Sequence, residues 1–363
     1  MGRVVLHIGA MKTGTSFVQS ILTSQPAALS RQGAALLGDR MPVIRAIQGV
    51  INPGRWAGSV EQTWSDLAAK THKSSQTFVA SMEFLSFAND EQVATFVEPF
   101  DGVRVDVVAT VRDEFRAIPA QWQSYCRSLG TAGWARYLRQ IAGGQSTRGS
   151  MANRTFRRAR SLGPILERWQ AQPGVSSVHV VIVPRPGAPR DELWNRFCAA
   201  AGLDAAPFEI ADAKSNTSLG YGSCNFLRRM NTHLTDVDRV AYRGTMRTLA
   251  PNVLGPLRDA ESRPELDVRG AEFARSLNKQ IVDVLSTDRF VVHGDLDELP
   301  VADSLDGYPQ QPAQPPKTET KTAAESMWTH LTEASGGAAR PRPKQLDDTI
   351  EDAARLLRHL NGW

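Results

Sequence analysis

Three hundred and sixty-three residues, 41% hydrophobic and 22% charged, describe a folded chain with a sizeable core, and they exclude a mainly disordered polymer or a small disulfide-stapled scaffold. Forty-two Lys and Arg against thirty-eight Asp and Glu leave a net charge of +4. That surplus is too small to make nucleic acid the default partner, so any strong cationic site must be local. No apolar run approaches the roughly 18 residues that span a bilayer, and Gly9 and Lys12 interrupt the N-terminal segment where an export signal would be continuous. A cytoplasmic protein with no integral membrane segment is expected. Cys126, Cys198 and Cys224 stand far apart in no C-x-x-C pair, so they are read as buried apolar residues, and neither a disulfide framework nor a metal site is expected.

Arg3-Val-Val-Leu-His-Ile8 has the character of a short buried strand, and it passes through a Gly-containing turn into Phe17–Leu22, whose apolar residues have helical spacing. Thr77–Ala80, Val103–Val111 and Val178–Val183 repeat the strand pattern, and the spacing predicts helices over Val60–Thr71, Glu91–Glu98, Asn153–Gln170, Asp191–Ala201 and Ala271–Ser286. This alternation predicts an α/β fold, a mostly parallel central sheet flanked by helices on both faces. After Leu299 the composition changes. Tyr308–Pro316 is rich in Pro and Gln and Gly336–Pro343 in Gly, Ala and Pro. The chain is therefore read as a catalytic domain over 1–307, a linker region over 308–344 with room for a short helix, and a last segment over 345–363. In that segment Ile350, Ala353, Ala354, Leu357 and Leu360 line one stripe, predicting an amphipathic helix that docks on its own domain or makes a homodimer contact.

The chemistry is concentrated in Gly9-Ala-Met-Lys-Thr-Gly-Thr-Ser16. Gly9 and Gly14 have the spacing of the two glycines in a G-x-x-x-x-G-K-[ST] phosphate loop, between a strand and a helix as a phosphate cradle requires; mere turn glycines are the alternative, and the Lys and three hydroxyl residues between strand and helix favour the phosphate reading. A nucleoside triphosphatase needs its lysine directly after the second glycine, beside a hydroxyl that holds Mg²⁺. Here Thr15 stands in that place and Lys12 lies inside the loop. The backbone N–H groups and hydroxyls of Thr13 to Ser16, with the positive end of the helix, are expected to bind a single phosphate, and Lys12 to neutralise an oxygen departing from it without a metal.

This loop resembles the 5′-phosphosulfate motif of sulfotransferases that use 3′-phosphoadenosine 5′-phosphosulfate (PAPS), approximately G-x-x-K-[ST]-G-[ST]-[ST], through Gly9, Lys12, Thr13, Gly14, Thr15 and Ser16. Val107-Val-Ala-Thr-Val-Arg-Asp113 is similar to the family's strand that ends in an arginine for the 3′-phosphate, here Arg112; an ion pair of Arg112 with Asp113 or Glu114 is the alternative. Val178–Pro184, Leu193–Phe197, Asn216–Gly220 and Gly294–Leu299 resemble segments of a bacterial branch of these enzymes, so the resemblance spans residues 3 to about 299. It implies a P-loop-like sulfotransferase architecture, PAPS as co-substrate, adenosine 3′,5′-bisphosphate (PAP) as product, and contacts from Asn216 and Ser218. The family's second 3′-phosphate ligand is a serine eight residues after the arginine, and that position holds Ala120. Ser124, one turn further on if Pro119 opens a helix, is a substitute or an ordinary surface serine.

Sulfuryl transfer to an alcohol needs a base. Glu83 follows the second strand, at the end of the sheet where ligands collect, and Met82, Phe84 and Leu85 beside it favour a raised pKa; a helix cap is the other reading. His72 precedes that strand and His7 lies within the first, a core residue. Asn216 and Ser218 also suit caps of a following helix. Arg154, Arg157, Arg158 and Arg160 form a solvated helix face or greet an anionic acceptor. Gly294–Glu298 lacks the alternation of a metal loop, and Trp56, Trp64, Trp122 and Trp134 line a pocket or pack. The functional expectation is a PAPS-dependent sulfotransferase acting on a hydroxyl of a carbohydrate, glycolipid or other small-molecule acceptor, with a P-loop kinase and an inactive PAP-binding module as the alternatives.

Overall fold

Side chains alternate across a strand, so a strand apolar on both faces must be covered on both. In the computed structural model, which describes residues 2–53, 63–143, 147–210, 218–301, 304–336 and 341–363, strand β1 (Arg3–Gly9) sends Val4, Leu6 and Ile8 into one core and Val5 into another. It is joined by β2 (Ala34–Leu36), β3 (Thr77–Ser81), β4 (Arg104–Val111), β5 (Val175–Ile182) and β6 (Val291–His293) in the order β2-β3-β1-β4-β5-β6. Every pairing is parallel, so the α/β expectation holds. On one face Val4, Leu6, Val107 and Val180 pack with Ile47, Phe96 and Leu166 from helices Arg40–Ile51, Asp90–Val97 and Leu162–Ala171. On the other, Val5, Val108 and Val181 pack with Val18 and Leu22 of α1 (Thr15–Ser24) and with Trp194 and Phe197 of Glu192–Ala201. Each such buried side chain contributes roughly 1.5–3 kcal/mol.

β1 pairs with β3 on one flank and β4 on the other. The chain therefore changes side at β1, and the loops leaving β1, β3 and β4 open together at the C-terminal ends of these strands, the switch point where parallel sheets bind ligands.

Three expectations need correction. Asn153–Gln170 is not one helix but two, Met151–Arg160 and Leu162–Ala171, because the ring of Pro164 would collide with the Arg160 carbonyl in a continuous helix. Pro119 does not open a helix. It lies inside Glu114–Cys126, which begins earlier because Asn278 Oδ1 and Asp113 Oδ1 accept from the N–H groups of Glu114 and Phe115 at 3.0 and 2.9 Å. The segment read as a linker holds an 18-residue helix, Lys317–Ala334, whose stripe of Ala323, Ala324, Met327, Trp328 and Leu331 is buried.

Two compact units result. The first, Met1–Ala117, Arg158–Asn216 and Arg275–Ala302, carries the sheet. The second, Ile118–Arg157, Thr217–Ala274 and Asp303–Trp363, is built from helices and takes in the tail. There the amphipathic helix runs over Leu346–Asn361 and buries Ile350, Ala353, Ala354 and Leu357 within its own unit, while Leu360 is exposed. Trp328 Nε1 donates to Asp352 Oδ2 at 2.9 Å, fixing the two tail helices together. No described helix is long and apolar enough to cross a membrane.

Candidate functional site

Between β1 and α1 the backbone turns through three left-handed residues, Gly9 at φ 87°, Lys12 at 66° and Gly14 at 85°. A Cβ on Gly9 would lie 2.9 Å from Glu83 Cβ and 3.0 Å from its Cα, so space as well as conformation requires glycine there; at Gly14 the near atom is the movable tip of Leu193, and the left-handed conformation is what favours glycine. For Lys12, which has a Cβ, the left-handed conformation costs on the order of 1–2 kcal/mol and has to be held by its surroundings.

Three successive carbonyls of this loop are gripped. Ala10 O accepts from Thr13 Oγ1 at 2.6 Å and Thr15 Oγ1 at 3.1 Å, Met11 O from Arg160 Nη1 at 2.9 Å, and Lys12 O from Arg112 Nη1 at 3.3 Å. In a trans peptide the carbonyl and the following N–H point opposite ways, so the amides of Met11, Lys12 and Thr13 turn away from these donors. The Thr13 and Thr15 hydroxyls, expected to face a phosphate, are buried and brace the loop from within; only their backbone remains for an anion. Gly14 starts α1 with no side-chain cap and no acid in the first turn, and the first helical bonds run from Phe17 and Val18 to Gly14 O. The amides ahead of Phe17 have no intrahelical acceptor, and with the positive helix end they suit a phosphate.

Arg112 follows β4. Asp113 pairs with Arg116 at 3.3 Å and Glu114 with Arg160, and among the described residues no ion pair involves Arg112. Its Nε is buried without a partner. Burial, with Arg116 and Arg160 near, pushes the guanidinium down to about 10, so it stays charged at neutral pH. The ordinary ion pair offered by the sequence is therefore not formed. Arg160 departs from the solvated helix face expected of it: it is fully buried on Glu114, whose carboxyl burial pushes up while Arg160 opposes the shift. Arg154, Arg157 and Arg158 do face solvent, Arg158 lying 4.8 Å over the ring of Phe87.

Glu83 opens a short 3₁₀ turn, Glu83–Phe87, directly against Gly9, and its side chain makes no cap. Gln19 of α1, which nothing in the sequence singles out, donates from Nε2 to Ser81 O at 3.0 Å and to Glu83 Oε2 at 3.3 Å, tying the carboxylate to α1. His72 is bonded to Pro99 O and exposed, outside this group. His7 is fully buried between Ser81 Oγ at 2.7 Å and Thr110 Oγ1 at 3.4 Å.

Burial lowers His7 from 6.5 to about 3, so the folded chain refuses a proton that the unfolded chain takes up near pH 6.5. Stability is full above that pH and falls as the pH is lowered through the window, by roughly 1.4 kcal/mol per unit. Burial lowers His179 and His293 as well, with the same sign. In urea unfolding at pH 6.5 and 5, the drop should be smaller in His7→Asn than in wild type; equal drops would refute the assignment.

Ala120 and Ser124 belong to the helical unit, as does Ser218, and Asn216 and Trp56 lie outside the described residues. Ser218 does not cap the next helix, Tyr221–Met230. Gly220 starts it, and the Glu261 carboxylate accepts from Ser223 N at 2.9 Å instead. Trp64, Trp122 and Trp134 are buried with their indole N–H groups on carbonyls, which makes them packing residues. Asp295 caps its own 3₁₀ turn and Glu298 pairs with Arg196, which accounts for two of the acids at 294–298. Comparison with models of protein families, with curated proteins and with solved structures finds no match.

Proposed function

We propose that the protein is a PAPS-dependent sulfotransferase that moves a sulfuryl group onto an alcohol. One observation carries the reading: a phosphate-type loop with its lysine at Lys12 adjoins a half-buried arginine, Arg112, that has two acids next to it in sequence and pairs with neither. A cation so placed is available to an anionic ligand, and a guanidinium fork suits a dianionic phosphate.

In this reading the loop amides and the α1 terminus bind the 5′-phosphate, and Arg112 exchanges its 3.3 Å contact with Lys12 O for the 3′-phosphate. PAPS supplies the sulfuryl group. The bond from sulfur to the bridging oxygen breaks, a bond from sulfur to the acceptor oxygen forms, and the acceptor proton passes to the Glu83 carboxylate. Lys12 neutralises the charge left on the bridging oxygen.

Incubation with labelled PAPS and a panel of sugar, glycolipid and phenolic acceptors in excess chelator tests the reaction. Sulfated product is expected, whereas product only with ATP and Mg²⁺ would favour a kinase. Arg112→Ala should lose roughly 2–4 kcal/mol of PAP affinity and bind adenosine 5′-phosphosulfate about as well as PAPS. If it kept the wild-type preference for PAPS, the 3′-phosphate would be read elsewhere.

A further inference from the structure

Behind the loop lies a charge pair that touches no solvent. The side chains of Arg160 and Glu114 are both 0% exposed. Arg160 Nε meets the two Glu114 oxygens at 3.1 and 3.3 Å, Nη2 meets Glu114 Oε1 and also Arg112 O at 3.2 Å, and Nη1 meets Met11 O at 2.9 Å. One planar group thus joins the loop after β1 to the residue that follows β4. Its anchor is itself fixed: Asn278, fully buried, accepts from Glu114 N and donates to Asp113 Oδ1 at 3.0 Å and to Pro300 O at 2.9 Å.

A buried ion pair is weak ground for stability, since apolar residues of similar volume often do as well or better. What this pair supplies is geometry. A guanidinium holds several acceptors in one plane at fixed angles, which an ammonium on a flexible stem does not. Here two of the acceptors are main-chain carbonyls. Fixing Met11 C=O turns the Lys12 N–H away, helps to hold Lys12 left-handed, and sets the loop against the backbone of Arg112.

We infer that Arg160, seated on Glu114, is a positioning residue that holds the phosphate loop and Arg112 in register and so sets the affinity of the site; naming PAP as the ligand rests on the sulfotransferase reading. Neither residue touches the ligand. They act through the backbone of Met11 and Arg112.

The test compares wild type with Arg160→Met combined with Glu114→Leu, which removes both charges together, and with Arg160→Lys, which keeps the charge but not the fork. Amide hydrogen exchange is followed without ligand in the peptide covering residues 9–18 and in peptides from β1 and β4, alongside PAP titration. The loop peptide should exchange about 10-fold faster in both variants while the strand peptides keep the wild-type rate, and PAP affinity should fall about 10- to 100-fold. A purely structural role would lower protection in loop and strands alike, and that result, or unchanged loop exchange in Arg160→Lys, overturns the inference. If wild type binds no PAP, the sulfotransferase reading fails and the exchange data alone decide the positioning role.

Discussion

If the protein is the proposed sulfotransferase, Glu83→Gln should lower turnover on an aliphatic alcohol by about 10²- to 10⁴-fold and leave PAP binding nearly intact. The variant keeps the shape of the side chain and a hydrogen-bonding partner for Gln19 but cannot take a proton. The expectation rests on place and on chemical need. Glu83 follows β3, flanks β1 at the switch point, and presses its Cβ toward Gly9 of the loop. His7 is buried and neutral and His72 is bonded elsewhere, so neither competes for the role. A phenol of low pKa should regain part of the lost rate, because it supplies its own anion. Wild-type turnover of an aliphatic alcohol by the Gln variant would remove Glu83 from the chemistry.

In the same reading Lys12→Ala should lower turnover by at least ~100-fold while PAP binding weakens less, because the charge assigned to Lys12 would develop on the bridging oxygen only as the bond to sulfur breaks. The left-handed backbone at position 12 strains lysine and alanine alike, since both carry a Cβ, so Lys12→Ala leaves that strain in place. Lys12→Arg and Lys12→Gly therefore belong in the same experiment: glycine relieves the strain and should still be slow, whereas arginine should retain part of the rate. A glycine variant as fast as wild type would show that the lysine does not act on the leaving group.

The central strands were legible because their residues carry the signal locally. Val4, Leu6 and Ile8 alternate with Val5 and His7 in a strand covered on both faces, and the Gly9–Gly14 spacing marks the turn that follows. The edge strands β2 and β6 were not: three residues each hold no period, and they exist because β3 and β5 offer them a parallel edge. Lys317–Ala334 was hidden by the Pro/Gln run before it and by a buried stripe that includes two alanines, Ala323 and Ala324. In the site, the loop and Arg112 are sequence-local and could be read directly. The pairing of Arg160 with Glu114 joins residues 46 apart in the chain, and that of Gln19 with Glu83 residues 64 apart. No spacing rule reaches so far: the pairing of β1 with β3 brings Gln19 to Glu83, and the long connection between β4 and β5 folds back to bring Arg160 to Glu114.

Calorimetric titration of PAP into the protein tests the central claim most directly, because it asks for the two phosphates without any knowledge of the acceptor. Saturable binding at one site is expected with a Kd on the order of 1 μM, about −8 kcal/mol, and without a requirement for Mg²⁺. Adenosine 5′-monophosphate, which lacks the group assigned to Arg112, should bind at least ~10-fold more weakly. Absence of any heat of binding at about 1 mM PAP would contradict the account.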